Sequence, residues 1–467
     1  KKVSLNRFVE VLFYTFPLSF IIGNLAVTIN IFLFIFCSFV LIQKKRLNFR
    51  FNNSYWLLIA FFLYFAISTT IQYPSLQIIN EKVNQPFPLE YDPVIKSFLL
   101  LRFLILIFIV DVLFFNKIFD LKKFFLSSLI CTTFVSFDVI LQFITGSDIF
   151  GYKSVGAWNS GPFGEEFIAG SYLKNFSFFS FFYLFSNLKE KKYNKFLLIF
   201  FITLHLSAIF FSGNRMPLIL FIFGYLLIML LIKNSRFVMS ISFIFFLVVF
   251  FATIKNNVYF KNTFSTFLKD ISISKKVDGE IEIKNENIEE QIKKDEKIDK
   301  SNIDKSVSFL RHSGHSRVYR TAIVMWKEKP LTGFGLKSFR IICWEILNKD
   351  INEIGERFDA QGRPQKLACA NHAHNYYLEL LSEAGIIGIF LIIAFFIVLL
   401  KNSFNNIVNI HKIKFDNPAV LLSPVIIMIF LELWPIRSSG SFFTTWNATF
   451  FWICIALLIQ SNKKISK

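Results

Sequence analysis

The sequence predicts an all-α polytopic membrane protein, and three observations carry that prediction. Hydrophobic residues make up 54% of the 467, with 64 Phe in the chain. Apolar runs of spanning length recur along most of it, more than a soluble core of this size absorbs. Those runs are continuous rather than alternating. Backbone amides and carbonyls cannot stay unpaired in hydrocarbon, so each run must be a helix or part of a closed barrel, and continuity selects helices. The excess of Phe, Ile, Lys and Asn carries no chemistry, since neighbouring apolar residues would satisfy lipid equally well.

Taken in order, the runs give about twelve spans of about 20 residues. The opening run 11–42 is too long for one span and divides near Gly23-Asn24. Further spans fall at 55–71, 94–115, 124–144, 170–187, 196–211, 217–232 and 237–254, and the last three at 376–400, 418–435 and 444–459. The chain thus divides into nine spans over 1–254, a large loop over 255–375, and three spans over 376–467.

Lys and Arg cluster in every second connection: Lys1-Lys2, Lys44-Lys45-Arg46, Lys117 with Lys122-Lys123, 189–195, 233–236, 401–414 and Lys463-Lys464. The positive-inside rule places those connections and both termini in the cytoplasm. Much of the net charge of +19 is then topology, and a nucleic-acid partner is not expected. No short apolar segment with a small-residue cleavage site opens the chain, so no removed signal peptide is expected. The alternate connections, 72–92, 145–169, 212–216, 255–375 and 437–443, fall outside.

The loop between the ninth and tenth spans is long enough for a small domain on the membrane surface. Its stretch 272–306 is mixed in charge and lacks aromatic residues, which predicts a disordered or marginally helical insertion whose deletion is tolerated. Beyond it, Val318, Ala322, Met325 and Trp326 share one face of a short helix ended by Pro330. Arg317 and Arg320 project from neighbouring positions on that helix. The Gly333-Phe-Gly335 turn lets backbone come close to a ligand or to another segment. Cys343 and Cys369 are the two cysteines outside the spans, on the side predicted to be oxidising, and a disulfide between them would add ~3 kcal/mol. Cys37, Cys131 and Cys454 lie in apolar runs as small core residues. His372 and His374 stand where the loop re-enters the membrane, where a base facing a lipid-borne substrate would sit.

Here the chain resembles a known family. His374-Asn375, nine residues, Gly385, two residues and Gly388 match the histidine motif of the O-antigen ligase and polymerase superfamily. Pro330-Leu331-Thr332-Gly333-Phe334-Gly335 is similar to its Pro-Leu-x-Gly-x-Gly turn, and Ser212-Gly213-Asn214-Arg215 resembles its Ser-x-x-Arg element. The span layout, with the large periplasmic loop between helices 9 and 10, is similar to the ligases too. The resemblance implies a bacterial inner-membrane glycosyltransferase with its site on the periplasmic face, independent of metal, cofactor and ATP. Its donor would be an undecaprenyl-diphosphate-linked glycan and its acceptor the lipid A core, or a second lipid-linked repeat in a polymerase; a protein acceptor is a further variant.

Under that resemblance His374 is the base, with His372 as its neighbour. Arg215 reaches the diphosphate, with Arg317, Arg320 or Arg340 as a second guanidinium. The family places an Arg about fifteen residues before the turn's Pro, an offset that falls here on His315. Asn375 orients the imidazole or caps the tenth span, and Gly385 and Gly388 permit close helix packing. Arg102, Asp111 and Asp138 each carry an insertion cost of ~2.5 to 3.5 kcal/mol at mid-depth. Arg102 therefore either pairs with Asp138 or Asp111 or reaches the diphosphate. The outer segment with Trp158, Asn159 and Glu165 is a candidate sugar site. A transporter is the competing class, opposed by the lack of an evident inverted repeat and by the concentration of Arg and His in one loop.

Overall fold

The computed structural model describes residues 4–49, 51, 53–83, 92–187, 192–265, 315–349, 367–408 and 422–464. The insertion expected at 272–306 lies outside the described residues, as do 350–366 between the two loop cysteines. Among the described residues the protein is all-α, with two isolated bridges, Ser147 to Lys153 and Val155 to Trp158, and no named strand.

The amino-terminal run forms α1 (Leu5–Tyr14), α2 (Phe16–Ile22) and α3 (Asn24–Lys45). Pro17, which lacks an N–H and crowds the preceding turn, accompanies a 53° bend between α1 and α2. Gly23, at φ +122, ends α2 where the sequence predicted the division. Next come α4 (Ser54–Lys82), α5 (Pro93–Leu99), α6 (Leu101–Phe115), α7 (Leu121–Thr145), α8 (Ala169–Asn187), α9 (Lys192–Phe211), α10 (Arg215–Leu231) and α11 (Arg236–Asn256). The loop contributes α12 (Ser316–Glu328) and α13 (Phe339–Lys349), and the chain closes with α14 (Tyr376–Val408), α15 (Ser423–Glu432) and α16 (Thr445–Lys464).

Among the described residues seven helices are long and apolar enough to cross a membrane, or eight if the bent α1 and α2 pair is one span. α10, α15 and the apolar part of α16 are shorter. One boundary differs from expectation. α4 does not stop near residue 71 but runs through Pro74 to Lys82, so residues assigned to an outer connection form an extra helical extension. That extension matters because Thr69 and Gln72 near its base meet the functional loop.

Packing reflects the sidedness of each helix. Phe36, Ile71, Phe196 and Phe237 are exposed large apolar side chains, as lipid-facing residues of a membrane bundle must be. Inward, α7 packs against α8 and α9, α6 against α16, and α4 against α14. Phe13, Phe34, Phe124 and Phe179 interlock in the interior, and Thr132 pairs there with Ser180 at 2.9 Å. A second, smaller core belongs to the loop: Val318, Ala322 and Met325 of α12 pack with Phe334, Phe339, Ile342 and Ile346, with Leu76 of the α4 extension among them.

The predicted outer connections converge at one end of the bundle. Asn159 donates to the carbonyl of Phe211 at 2.6 Å, and a Cβ on Gly213 would lie 2.2 Å from the Ala157 carbonyl, so residues 146–168 seat against the α9–α10 turn. Residues 433–444 seat against the start of α14.

Candidate functional site

The glycine turn and the kinked start of α14 form one unit. Gly385 adopts φ +65 and ψ −168 inside α14, outside the helical region. The amides of Ile386 and Ile387, freed by that break, donate to the carbonyls of Pro330 at 2.9 Å and Leu331 at 3.2 Å. In return Phe334 and Gly335 donate to the carbonyls of Ser382 and Glu383. A Cβ on Gly333 would lie 2.5 Å from the Glu383 carbonyl carbon, and one on Gly385 2.3 Å from the Leu331 oxygen. The Pro330–Gly335 turn therefore makes its close approach to another chain segment, and the two glycine motifs, distant in sequence, are halves of one backbone joint.

α4 fastens that joint from a third side. Tyr64 donates to the Ala384 carbonyl at 2.8 Å, Thr69 Oγ1 accepts the Leu336 amide at 3.0 Å, and Lys329 Nζ reaches Gln72 Oε1 at 2.6 Å. Gly388 faces Tyr64, whose ring a Cβ would approach at 3.4 Å.

Glu383 holds the start of α13, accepting the amides of Lys337 at 2.9 Å and Phe339 at 3.4 Å. One turn earlier on α14, Glu379 accepts from Ser441 Oγ at 2.5 Å and from the Phe442 amide at 2.7 Å, while Lys337 Nζ donates to the same Ser441 at 2.7 Å. Both carboxylates and the Lys337 side chain are buried.

Close to this layer three imidazoles meet. The His374 ring lies 4.2 Å from that of His372 and 4.5 Å from that of His315, centroid to centroid. His374 sits in the left-handed region at φ +54, a conformation that a residue with a large side chain seldom holds unless its surroundings compel it. The constraint is visible: the His374 carbonyl accepts the Ser439 amide at 2.9 Å. Asn375 then caps α14 with Oδ1 on the amides of Tyr377 and Leu378, and its Nδ2 donates to the Pro435 and Arg437 carbonyls at 2.8 and 3.3 Å. It thus performs the capping role and ties the segment to the α15–α16 loop at once.

Electrostatics keep the cluster neutral. Burial, then the neighbouring His372 and His315, push His374 down to about 3. Burial, Lys337, Arg340 and His315 push His372 down to about 4. Burial and Arg215 lower His315 as well. Arg215, the first residue of α10, is exposed, so its guanidinium and the His374 imidazole both bear on His315 from different elements. The segment before His372 is held by the Cys343–Cys369 disulfide, Cα atoms 5.4 Å apart, and by Thr321 of α12, whose Oγ1 donates to the Ala368 carbonyl at 2.9 Å.

Residues 198–393 match the family model described as O-antigen ligase. Over that stretch the chain is similar to the O-antigen ligases. No curated protein matches it. The O-antigen ligase segment starts in α9 and ends in α14, so it contains Arg215, His315, both halves of the glycine joint, and His374. Among the other expected site residues, Arg317 and Arg320 lie half-buried on α12, and Arg340 is the second residue of α13 with its charge bearing on His372. Glu165 is exposed in the 146–168 loop, outside the matched segment.

Arg102 pairs with neither aspartate: it donates to Thr445 at 2.9 Å and stacks on Phe103 at 4.8 Å. Asp111 bonds Tyr55, and Asp138 accepts the Ile149 amide at 2.9 Å. The buried ion pairs form elsewhere. Glu432 of α15 lies between Lys174 of α8 and Arg437 at 2.7 Å, and Arg437 packs over the Tyr376 ring at 4.7 Å. Sequence reasoning missed this buried trio together with Lys337, Glu379 and Glu383. The signal was present: Lys174, Glu432, Glu379 and Glu383 are ionisable residues inside apolar runs, which should face protein rather than lipid.

Proposed function

We propose that this protein moves a glycan from an undecaprenyl-diphosphate carrier to an acceptor hydroxyl on the lipid A core, at the periplasmic face of the bacterial inner membrane. The observation that carries the reading is the meeting of His374 and His315, with Arg215 bearing on His315, at the end of the bundle where the outer connections converge. A twelve-span layout with both termini cytoplasmic suits it.

The reaction forms a bond from the acceptor oxygen to the sugar carbon, breaks the sugar-to-phosphate C–O bond, and leaves the electron pair on the diphosphate. His374 takes the acceptor's proton. The imidazole is neutral before donor arrives, the form a base needs, and the diphosphate's negative charge offsets the burial and the neighbouring imidazoles that lower its proton affinity. Arg215 would hold the leaving diphosphate, with Arg317, Arg320 or Arg340 supplying further positive charge; each charge-assisted hydrogen bond contributes about 1.5 to 3 kcal/mol. In this reading Arg102 and Glu165 serve as donor-lipid and sugar contacts. The scheme uses no metal or cofactor.

The test is envelope glycan profiling of a knockout complemented with wild type or His374→Ala. Wild type should restore polymer on lipid A, and His374→Ala should not, with the protein still in the membrane. Restoration by His374→Ala would overturn the reading. Single repeats on lipid A in the knockout would instead assign a polymerase, whose acceptor is a second lipid-linked repeat.

A further inference from the structure

The histidine cluster holds three imidazoles where a single base requires one, and the position of His315 differs from that of the other two. His315 immediately precedes α12, with its carbonyl accepting the Tyr319 amide at 2.9 Å. His372 and His374 come from the segment ahead of α14. Between these elements the His315 ring meets His374 on one side and lies 6.3 Å from the Tyr319 ring on its own helix. The charged and titratable groups that bear on it are Arg215 of α10, His372 and His374 ahead of α14, and Tyr319 on α12, with Arg317 and Arg320 following on the same helix; Lys337 and Arg340 bear on His372.

Such a cluster is a poor place for a proton while it is empty, because every named charge is positive. Placing a diphosphate beside Arg215 reverses that balance, and the imidazole on which Arg215 bears gains most. We propose that His315 is a proton-linked ligand of the donor diphosphate: it takes up a proton as the diphosphate binds and donates a hydrogen bond to a phosphate oxygen, while His374 stays neutral to receive the acceptor's proton. The inference deepens the transferase reading and rests on it. During transfer the acceptor's proton passes to His374, and the His315 proton stays on its ring until the diphosphate leaves.

Two adjacent imidazoles with opposite protonation requirements give a bell-shaped dependence of kcat/KM on pH. The alkaline limb reports loss of the His315 proton, falling by about tenfold per pH unit. His315→Arg, whose charge does not titrate in this range, should remain active and lose that limb, whereas His315→Gln should be slow at every pH. An alkaline limb unchanged in His315→Arg overturns the inference without touching the role of His374.

A second measurement covers a misfolded Arg variant. Calorimetry of undecaprenyl diphosphate binding to full-length protein in nanodiscs, in two buffers of different ionisation enthalpy at neutral pH, counts protons taken up. Wild type should take up about one more proton than His315→Gln. Equal uptake in the two overturns the proposal. Loss of transfer in His315→Gln with full uptake retained does so too, since the ring would then matter only for shape.

Discussion

Asn375 offers the sharpest test of how the His374 segment is held, because its two ends perform separable tasks. Oδ1 accepts the amides of Tyr377 and Leu378 and caps α14, while Nδ2 donates to the carbonyls of Pro435 and Arg437. Asn375→Ala removes both. Losing the cap costs about 1 kcal/mol, and leaving buried carbonyls unpaired costs about 1 to 3 more, for a total of about 2 to 4 kcal/mol. Asn375→Asp keeps the cap, which a carboxylate at a helix N-terminus serves well, but turns an acceptor toward two carbonyl oxygens. The Asp variant should therefore keep the start of α14 and release residues 435–437. Because the Ser439 amide that holds the His374 carbonyl belongs to the same loop, transfer should fall at least tenfold, equivalent to about 1.4 kcal/mol of lost positioning. The assay pairs thermal unfolding in nanodiscs with initial rates of glycan transfer from a lipid-linked donor. An Asn375→Asp protein with the wild-type rate would show that the cap alone matters and would refute this account.

The joint, the buried trio and the imidazoles can each be tested in turn. Gly385→Ala places a Cβ 2.3 Å from the Leu331 carbonyl on a left-handed residue and should destabilise by about 2 to 5 kcal/mol; an unshifted unfolding temperature would show that the joint yields. Glu432→Gln should be worse than Lys174→Met, because it leaves two buried cations facing each other while the Lys variant leaves the balanced Glu432–Arg437 pair; the cost of the first is about 3 to 5 kcal/mol, and the reverse order in thermal unfolding would contradict it. His372 and His374 are pushed down to about 4 and about 3, so the unfolded chain binds their protons first as pH falls. Stability present above about pH 6.5 should drain away below it, by about 1 kcal/mol per imidazole per pH unit. Unfolding of solubilised protein between about pH 7.5 and about pH 5 checks this, and a flat profile would refute the burial argument.

Much of the architecture was legible because a bilayer imposes a one-dimensional constraint. Length and continuity of apolar runs locate helices, and the break at Gly23 announced itself. The α12 face of Val318, Ala322 and Met325 was also legible from spacing. The end of α4 was not, since beyond residue 71 the chain turns polar while Pro74 is carried inside the helix; composition marks where lipid ends, not where hydrogen bonding ends.

The site divides along the same line. Sequence alone determined the helical class, the family motifs and the residues His374, Arg215, Gly333 and Gly385 as a set, because local spacing and residue chemistry are one-dimensional quantities. Only tertiary structure decided that the two glycine motifs bind each other, that His315 is the group set against His374, and that Glu432 rather than an aspartate of α6 or α7 takes up the buried cations. Apolar side chains tell each helix to be buried without naming its neighbour. The neighbour is selected by close backbone approach and by charge pairing across long sequence separations, and neither leaves a periodic trace in the chain.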